Sequence, residues 1–520
     1  MEIRTAGVVG LGTMGAGIVE VFARAGLDVI AVEVDEPLLS AGRKRVETSL
    51  DKAVERGKLD GGERDAILGR LTCTTDRADL ARADLVTEAV PERLDIKASL
   101  FAELDRICPA HTVLATNTSS LPVTKIATST TRPSRVVGLH FFNPAPVMKL
   151  VEVVHTVRTD QEVTTAVHDL AKRCGKTPVV VGDRAGFVAN ALLFGYLNAA
   201  ARAVETGQAA AGDLDAAMVA ACGLPMGPLT LMDLIGLDVC LDVMETMFDE
   251  SRDQRYAPAP LLRRLVMAGD LGRKTGSGYY QYGDGGAAQW LPVPEFATGT
   301  ARASTTVVAV GEGSSRVFDA LPGVPRVAPS EVGDADVVLV DGGSRGASAD
   351  LLARVARAAK PDAVLAVATT DEAPVAALLA GIERARDVVG VHVPRTPRAG
   401  VVEVVATVRS DPAAVATVVD LVRGAGQTAL ACRDRPGHVV DYLLLPHLGD
   451  AVRMVDDGYA SADDVDVAMR LGCGYGDGPF AMLAAVGPDE VRSVLSHLAA
   501  ATHLPSVAPS PLLDELAALG

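Results

Sequence analysis

The start of the chain alternates between apolar runs and short polar breaks. Residues 3–9 form an apolar run, a glycine-rich break follows, and residues 18–26 carry an apolar helical pattern that ends at a glycine. A second apolar run, residues 28–32, ends at the acidic residue Glu33. The pattern predicts a strand, a turn, a helix and a second strand, which together form the first unit of a parallel α/β sheet.

The glycine-rich break has the order Gly-x-Gly-x-x-Gly, at Gly10, Gly12 and Gly15. Such glycines permit a tight turn and a close approach of the backbone to a pyrophosphate at the N-terminus of the next helix. Glu33 stands where an acid binds ribose hydroxyls and repels a 2′-phosphate, so the pattern favours NAD over NADP. A plain glycine turn is the alternative, but it does not account for the surrounding elements.

The alternation continues to about residue 184. We predict a helical hairpin over 36–71, helices over 94–107 and 160–174, strands over 84–92 and 178–181, and a strand that leads from Val113 into a polar turn at 117–120. The carboxyl ends of strands line the ligand crevice of an open α/β sheet. We therefore expect four side chains to converge there: Glu92, Asn117, Ser119 and His140.

His140 and Glu152 flank a loop that contains Pro144 and Pro146. We expect a strand that ends near His140 and a second strand that carries Glu152, with the two side chains next to each other. A histidine held by a carboxylate is a natural general base near neutral pH. The structural alternative is a buried histidine that only satisfies the charge of Glu152, and a position beside a nucleotide loop argues against it.

A helical pattern runs from residue 187 to about 275, and a glycine-rich closing loop over 269–282 overlaps its end. Asn190 lies at the start of this pattern, where its amide needs a partner, either a ligand or a backbone carbonyl. Residues 284–304 are rich in glycine, proline and alanine, which is typical of a linker.

The pattern begins again at residue 305, and His392 and Glu403 repeat the earlier pair. We predict a duplicated two-domain unit, divided as follows: an NAD-binding α/β domain of the Rossmann type (1–184), an all-α domain (185–283), the linker (284–304), a second Rossmann-like domain (305–435) and a second all-α domain (436–520).

The second copy differs from the first where a cofactor would bind. Its glycine loop reads Gly311-Glu312-Gly313-Ser314-Ser315-Arg316, and most of the segment from the second strand to the hairpin is missing. Asp371, Arg395 and Asp441 replace Ser119, Asn143 and Asn190. We therefore predict that the second Rossmann copy is truncated, degenerate and structural.

The composition excludes several classes of protein. With 520 residues, 48% of them hydrophobic, the chain can bury large cores, and no apolar run approaches the length of a membrane span. A net charge of −17 argues against nucleic acid or an anionic membrane as partner. The seven scattered cysteines and the absence of a signal-peptide pattern at Met1 indicate a reducing, cytoplasmic location and no metal site.

The first half of the chain contains six characteristic motifs: Gly-Leu-Gly-Thr-Met-Gly (10–15), Asn-Thr-Ser-Ser-Leu (117–121), Gly-Leu-His-Phe-Phe-Asn-Pro (138–144), Lys-Leu-Val-Glu-Val-Val (149–154), Met-Gly-Pro (226–228) and Gly-Arg-Lys-Thr-Gly-Ser-Gly-Tyr-Tyr (272–280). Together they resemble the 3-hydroxyacyl-CoA dehydrogenase family, including its 3-hydroxybutyryl-CoA and 3-hydroxyadipyl-CoA members. The resemblance implies NAD-dependent oxidation of a short-chain 3-hydroxyacyl-CoA to a 3-oxoacyl-CoA, and the reverse.

The resemblance also implies roles for individual residues. His140 is expected to be the base, Glu152 its orienting carboxylate, and Ser119 and Asn190 the donors to the reacting oxygen or the thioester region. We expect the cofactor to contact Gly10, Gly12, Gly15, Glu33, Glu92, Lys97 and Asn117, and the substrate to contact Ser49, Lys52, Arg56 and Asn143.

We expect the hairpin to be basic on one side, at Arg43, Lys44, Arg45, Lys52, Arg56 and Lys58. The pattern alone favours a solvated helix face, but an acyl-CoA substrate makes these charges a dock for its phosphates. We further expect the two helical domains to form a pseudo-dimer within the chain, and the sequence also allows a homodimer. Two alternatives stay open: a dehydrogenase of the same fold that uses a free hydroxy acid or a carrier-protein thioester, and a non-catalytic NAD-binding protein.

Overall fold

A computed structural model describes residues 1–283, 285–311, 315–370 and 374–519. Glu312, Gly313 and Ser314 of the second glycine loop, and Asp371, therefore lie outside the described residues. The chain forms two compact units, the first made of Met1–Ala191 and Asp457–Gly474 and the second of Leu192–Asp456 and Tyr475–Gly520.

The first unit is built on a twisted sheet of eight strands among the described residues, in the order β3-β2-β1-β4-β5-β6-β7-β8. The strands are β1 (Thr5–Val9), β2 (Asp28–Val32), β3 (Leu71–Thr74), β4 (Leu85–Glu88), β5 (Val113–Thr116), β6 (Val136–Phe141), β7 (Leu150–His155) and β8 (Thr177–Gly182). Neighbouring strands are parallel except β6 and β7, which are antiparallel. The predicted Rossmann-like α/β domain is confirmed.

The helices that connect these strands are α1 (Thr13–Arg24), α2 (Glu36–Glu55), α3 (Gly61–Gly69), α4 (Leu94–Ile107), α5 (Val123–Ala127) and α6 (Gln161–Arg173). The hairpin predicted over 36–71 is the pair α2 and α3. The strand predicted over 84–92 stops at Glu88, so Glu92 lies in the loop that follows it. Phe22, Leu139 and Val153 lie in the core formed where α1 and α6 cover the sheet.

A helical domain follows the first sheet, as predicted. Its helices are α7 (Ala189–Glu205), α8 (Ala211–Cys222), α9 (Pro228–Ile235), α10 (Leu237–Ser251) and α11 (Pro260–Ala268). The predicted closing loop and linker contain a short antiparallel hairpin of β9 (Tyr280–Gly283) and β10 (Gly286–Gln289). These strands were missed because glycine-rich segments lack the apolar alternation that marks a strand.

The second copy has a sheet of six strands among the described residues, in chain order from β11 to β16. The strands are β11 (Val307–Val310), β12 (Val337–Val340), β13 (Val364–Ala368), β14 (Val388–His392), β15 (Val401–Ala406) and β16 (Thr428–Arg433). As in the first sheet, the strand that carries the histidine and the strand that carries the glutamate are antiparallel. The predicted repeat of both domains is confirmed.

The remaining helices are α12 (Arg316–Ala320), α13 (Arg345–Ala358), α14 (Pro412–Gly424), α15 (Val440–Asp456), α16 (Ala462–Gly472), α17 (Pro479–Val486), α18 (Pro488–Thr502) and α19 (Pro511–Leu519). Short 3-10 turns occupy Arg77–Arg82, Pro133–Arg135, Arg273–Thr275, Glu295–Ala297, Pro329–Glu331, Val375–Leu378, Ala385–Asp387 and Pro505–Val507. Among the described residues, no helix has both the length and the apolar character needed to cross a membrane.

Candidate functional site

The predicted histidine and glutamate are direct cross-strand neighbours. Residues His140 on β6 and Glu152 on β7 are opposite each other in the antiparallel register. The Nδ1 atom of His140 lies 2.7 Å from Oε2 of Glu152. His140 is 6% exposed and Glu152 is fully buried. The strand register therefore holds the imidazole against a carboxylate that water does not reach.

The second carboxylate oxygen of Glu152 is also occupied. The backbone N–H groups of Val188 and Ala189 donate to Oε1 at 3.1 and 3.0 Å, where the chain enters α7. These two amides have no partner within the helix, and their hydrogen bonds fix the second oxygen of the carboxylate. The ring of Phe142 lies 4.6 Å from the His140 ring, centroid to centroid, and Phe187 lies at 5.7 Å.

The prediction from sequence named none of these supporting groups. The amides of Val188 and Ala189 carry no side-chain signal, so only their position at the start of α7 could have indicated them. The two phenylalanines had a signal, since Phe142 follows His140 by two residues and Phe187 stands at the predicted start of the helix.

Ser119 and Asn190 are close to each other. The Nδ2 atom of Asn190 donates to the backbone oxygen of Ser119 at 3.5 Å. Asn117, at the end of β5, accepts a hydrogen bond from the Phe141 N–H through Oδ1 at 2.8 Å. Asn117 thus links the loop after β5 to the end of β6, one residue from His140. This link holds the Ser119 loop beside the strand that carries the histidine.

The glycine loop connects β1 to α1 and has little room for side chains. Gly10 has a φ of +90°, and a Cβ on Gly15 would lie 1.7 Å from the oxygen of Gly10. A Cβ on Gly12 would instead meet no atom within 4 Å. Gly12 precedes α1, and no side chain of the described residues caps that helix. The loop therefore presents open space over free helix amides, which fits a bound pyrophosphate.

Glu33 at the end of β2 touches the glycine loop itself. Its Oε1 accepts a hydrogen bond from the Leu11 N–H at 2.6 Å, and Oε2 accepts one from Val34 at 3.0 Å. Arg45 on α2 donates to the oxygen of Leu11 at 3.1 Å. The acid, the loop and the helical hairpin are thus joined through the single residue Leu11.

A buried ion pair lies next to this loop. Lys97 on α4 is 1% exposed, and its Nζ contacts Glu88 Oε1 at 2.7 Å and Glu92 at 3.2 Å. Glu88 is fully buried and also accepts hydrogen bonds from Thr116 and from the Val90 N–H. Glu88 lies within the strand predicted over 84–92, but the sequence did not predict it as a site residue. Burial of both charges makes it the principal partner of Lys97.

Glu92 binds the loop that contains Ser119. Its Oε1 accepts hydrogen bonds from the Thr118 hydroxyl at 2.6 Å and from the Ser119 N–H at 2.9 Å. Burial by itself would raise the pKa of Glu92, but Lys97 and these hydrogen bonds outweigh it and lower the pKa. Glu92 is therefore ionised near neutral pH, and it orders the Ser119 turn.

The basic residues of the hairpin do not all share one side. A helix advances 100° per residue, so Arg45, Ser49, Lys52 and Arg56 fall on one face of α2 while Arg43 and Lys44 turn away from it. Arg43 pairs with Glu47 on its own helix at 2.9 Å. The expectation of a single basic side was therefore too broad. Lys52, Arg56 and Asn143, in the loop after β6, are exposed and Ser49 is half-buried.

The second copy repeats the framework but changes the contacts. His392 and Glu403 are opposite each other in the register of β14 and β15, yet Nδ1 and Oε2 are 3.9 Å apart. Glu403 accepts hydrogen bonds from the Val439 and Val440 N–H groups at 2.9 and 3.0 Å, as Glu152 does from its own pair. Asp441, in place of the asparagine, lies 3.5 Å from Nε2 of His392.

Family models match most of the chain. The model of the NAD binding domain of 3-hydroxyacyl-CoA dehydrogenase matches residues 5–184 and 347–435. The model of the C-terminal domain of the same family matches residues 186–282 and 437–520.

The chain is also similar in sequence to individual members of this family. The chain is 50% identical over 282 residues to a 3-hydroxybutyryl-CoA dehydrogenase of Mycobacterium tuberculosis, which covers 54% of this chain and 99% of that protein. It is 34% identical over 500 residues to the 3-hydroxyadipyl-CoA dehydrogenase of Escherichia coli K12, covering 96% and 94% of the two chains.

A solved structure is similar over the full length. The crystal structure of 3-hydroxybutyryl-CoA dehydrogenase from Escherichia coli K12 aligns with a TM-score of 0.78 at 33% identity, and the alignment covers 100% of this chain and 99% of that one. Both copies of the repeat are therefore matched in sequence and in fold. The chain belongs to the 3-hydroxyacyl-CoA dehydrogenase family of NAD-dependent oxidoreductases.

Proposed function

We propose that this chain oxidises the C3 hydroxyl of a short-chain 3-hydroxyacyl-CoA with NAD, and catalyses the reverse reduction. The observation that carries the proposal is the buried His140–Glu152 contact at 2.7 Å, on the same sheet as the glycine loop. The relatives named 3-hydroxybutyryl-CoA and 3-hydroxyadipyl-CoA dehydrogenases support this substrate class.

His140 acts as the general base in this proposal. Glu152 occupies Nδ1, so Nε2 is the nitrogen that takes the proton from the C3 hydroxyl. The buried carboxylate stabilises the imidazolium that forms. NAD at the glycine loop would supply the acceptor for the hydride from C3. The alcohol carbon is thereby oxidised to a ketone, and the hydroxyl proton rests on His140.

Ser119 and Asn190 are proposed to donate hydrogen bonds to the developing ketone or to the thioester oxygen. The 3.5 Å contact between Asn190 Nδ2 and the Ser119 backbone oxygen supports this joint assignment. The Glu92 carboxylate, which accepts the Ser119 N–H, keeps this turn in place.

The cofactor contacts are proposed as follows. The open space at Gly12 over the α1 amides receives the pyrophosphate, and Glu33 receives the ribose hydroxyls. We assign Glu92, Lys97 and Asn117 to the same edge of the sheet. Lys97 contributes chiefly by neutralising Glu88 and Glu92, because it is buried between them.

The face of α2 that carries Ser49, Lys52 and Arg56 is proposed to bind the phosphates of coenzyme A. Lys52 and Arg56 are exposed cations in a chain whose net charge is −17. A local positive face of this kind attracts a polyanionic ligand that the rest of the surface repels. Asn143, in the exposed loop after β6, is proposed to contact the acyl part.

We propose that the two copies form a pseudo-dimer within one chain, with domains at 1–184, 185–283, 305–435 and 436–520 joined by the 284–304 segment. Contacts within the second unit support this arrangement. The ring of Tyr196 from the first helical copy lies 5.6 Å from that of His447 from the second, and Arg255 pairs with Asp450.

The second Rossmann copy is proposed to be truncated, degenerate and without NAD. In the described residues, its sheet ends at β11, whereas the first sheet continues through β2 and β3 beyond β1. The strand that would carry an acid equivalent to Glu33 therefore has no counterpart there. An aspartate, Asp441, also stands where the first copy has Asn190.

An assay of NADH oxidation with acetoacetyl-CoA tests the function directly. We expect activity with NADH well above that with NADPH, and little with free acetoacetate or an acetoacetyl carrier protein. His140→Gln should lose most turnover and still bind NADH. Equal rates with the free acid would contradict the coenzyme A part, and no turnover with any 3-oxo substrate would leave a non-catalytic NAD-binding protein.

A further inference from the structure

A segment of the second copy folds with the first sheet. Residues Asp457–Gly474, which include α16, belong to the same compact unit as Met1–Ala191. Within that unit α16 packs against β7 and β8. The strand β7 carries Glu152, so a part of the chain more than three hundred residues away lies behind the proposed catalytic pair.

One end of this segment holds the turn that leads to α7. The Gly182 N–H at the end of β8 donates to the oxygen of Tyr459 at 2.9 Å. The guanidinium of Arg184 lies over the Tyr459 ring, 5.0 Å from its centroid. Arg184 opens the short turn whose far end, Val188 and Ala189, donates both backbone hydrogen bonds to Glu152.

The other end touches the aromatic wall of the site. Gly472 closes α16, and a Cβ on it would lie 2.7 Å from Leu150 and 3.2 Å from the Phe142 ring. That ring packs against His140 at 4.6 Å. The Phe142 ring, which packs against the His140 imidazole, therefore limits the size of the residue that position 472 can accept.

Cys473 follows Gly472 directly, and its thiol interacts electrostatically with the carboxylate of Glu152. Burial raises the pKa of Cys473 to about 12, and the negative charge of Glu152 adds to the rise. Two elements contact Glu152 with polar groups, β6 with His140 and the start of α7 with two amides, and the thiol of Cys473, directly after α16, adds an electrostatic interaction.

We infer that the segment 459–473 of the second copy is a positioning element for the His140–Glu152 pair of the first. It fixes the turn that holds Glu152 and the phenylalanine that holds His140. The inference rests on the proposed function, because it assigns a role toward that same pair. It also gives the second copy a task in the first active site that needs no ligand of its own.

An equivalent contact occurs in the second unit, where a segment of the first copy packs against the sheet of the second. There the Arg433 N–H, at the end of β16, donates to the oxygen of Gln208 at 2.9 Å, and α8 packs against β15 and β16. Each sheet is thus backed by a helix from the other copy. This reciprocity means that the second copy cannot be lost without removing the support of the first site.

The test places a side chain at Gly472 in the full-length enzyme. Gly472→Leu should push the Phe142 ring, and we expect kcat to fall about ten-fold or more, while KM and NADH affinity stay within about two-fold. The matched control is Gly424→Leu, since Gly424 also closes a helix and a Cβ there meets no atom within 4 Å. The control should keep wild-type kcat.

A second pair of variants tests the charge at Cys473. Relative to the neutral isostere Cys473→Asn, Cys473→Asp adds a carboxylate near Glu152 and favours the imidazolium form of His140. The acid limb of kcat/KM for alcohol oxidation should then move up by about one pH unit. This shift is not expected from a loss of stability alone, and it decides the matter if Gly472→Leu does not fold.

Unchanged kcat in a folded Gly472→Leu enzyme overturns the inference, as do identical pH profiles for the two Cys473 variants. Failure of the proposed function looks different. In that case the wild type and Gly424→Leu would both be inactive with acetoacetyl-CoA and NADH.

Discussion

At the scale of single residues, the site depends on how each polar group is held. Glu152 has both oxygens occupied, one by His140 and one by two backbone amides. Such a carboxylate has one orientation, so the histidine it holds has one orientation too. Glu403 is held by the same kind of amide pair, but its histidine is 3.9 Å away and faces Asp441 as well.

This comparison makes Glu403 a matched control for Glu152. Glu152→Gln removes the charge that stabilises the imidazolium, so kcat should fall about 100-fold or more with little change in KM. Glu403→Gln has the same buried hydrogen-bond cost and should leave kcat close to wild type. Steady-state kinetics and thermal unfolding of both variants check this. Equal losses of kcat would mean that both pairs serve catalysis.

The glycine loop gives a second prediction at this scale. A methyl group at Gly12 meets no protein atom, so Gly12→Ala should fold with an unchanged or slightly higher Tm. It should nevertheless lower NADH affinity by about ten-fold or more, because the methyl fills the space proposed for the pyrophosphate. Fluorescence titration with NADH measures this.

Gly15→Ala is the contrasting variant. Its Cβ would lie 1.7 Å from the backbone oxygen of Gly10, so we expect a large fall in Tm. If Gly12→Ala bound NADH as tightly as the wild type, the cofactor would not lie over this loop.

At the scale of elements, α2 combines two functions on one helix. Its residues Leu39, Val46 and Leu50 are buried in the hydrophobic core of the first unit, and Arg45 donates a hydrogen bond to the glycine loop. The exposed face beyond them carries Lys52 and Arg56. The helix thus connects the proposed cofactor loop to the proposed coenzyme A face.

We expect Lys52→Ala combined with Arg56→Ala to raise KM for acetoacetyl-CoA about ten-fold, and to leave kcat and NADH affinity nearly unchanged. The effect should shrink at high salt, because exposed charges are screened. The control is the double variant Arg43→Ala with Lys44→Ala, which also removes one arginine and one lysine but from outside that face. A similar rise in KM for the control would indicate general attraction instead of a defined dock.

At the scale of the whole molecule, the duplication poses the question whether the chain has one active site or two. The second sheet keeps the antiparallel pair of strands, the histidine, the glutamate and the amides. In the described part of the chain, it has no strands equivalent to β2 and β3. A histidine and a glutamate need a bound nucleotide beside them to oxidise an alcohol, so the proposal that the second copy binds no NAD predicts one active site per chain.

Calorimetric titration should therefore give one NADH per chain, and His392→Gln should retain most of the wild-type kcat. His140→Gln, titrated under the same conditions, is the control. It should bind one NADH per chain, as the wild type does, although it has lost most of its turnover. Two equivalents of NADH per chain would show that the second copy binds cofactor.

The sequence alone determined the features that depend on neighbouring residues. Apolar alternation located the strands, the glycine spacing located the nucleotide loop, and the recurrence of a histidine and a glutamate revealed the duplication. The contact between His140 and Glu152 was also predictable, because adjacent strands joined by a loop bring such residues opposite each other.

Only the tertiary structure decided the contacts between distant segments. The burial of Lys97 against Glu88, the hold of Val188 and Ala189 on Glu152, and the packing of Tyr459 and Gly472 behind β7 have no local pattern. Backbone amides carry no side-chain signature, and a helix pattern shows an apolar face without naming the sheet that covers it. That choice follows from how the two copies pack, and it brings the second half of the chain to the proposed active site of the first.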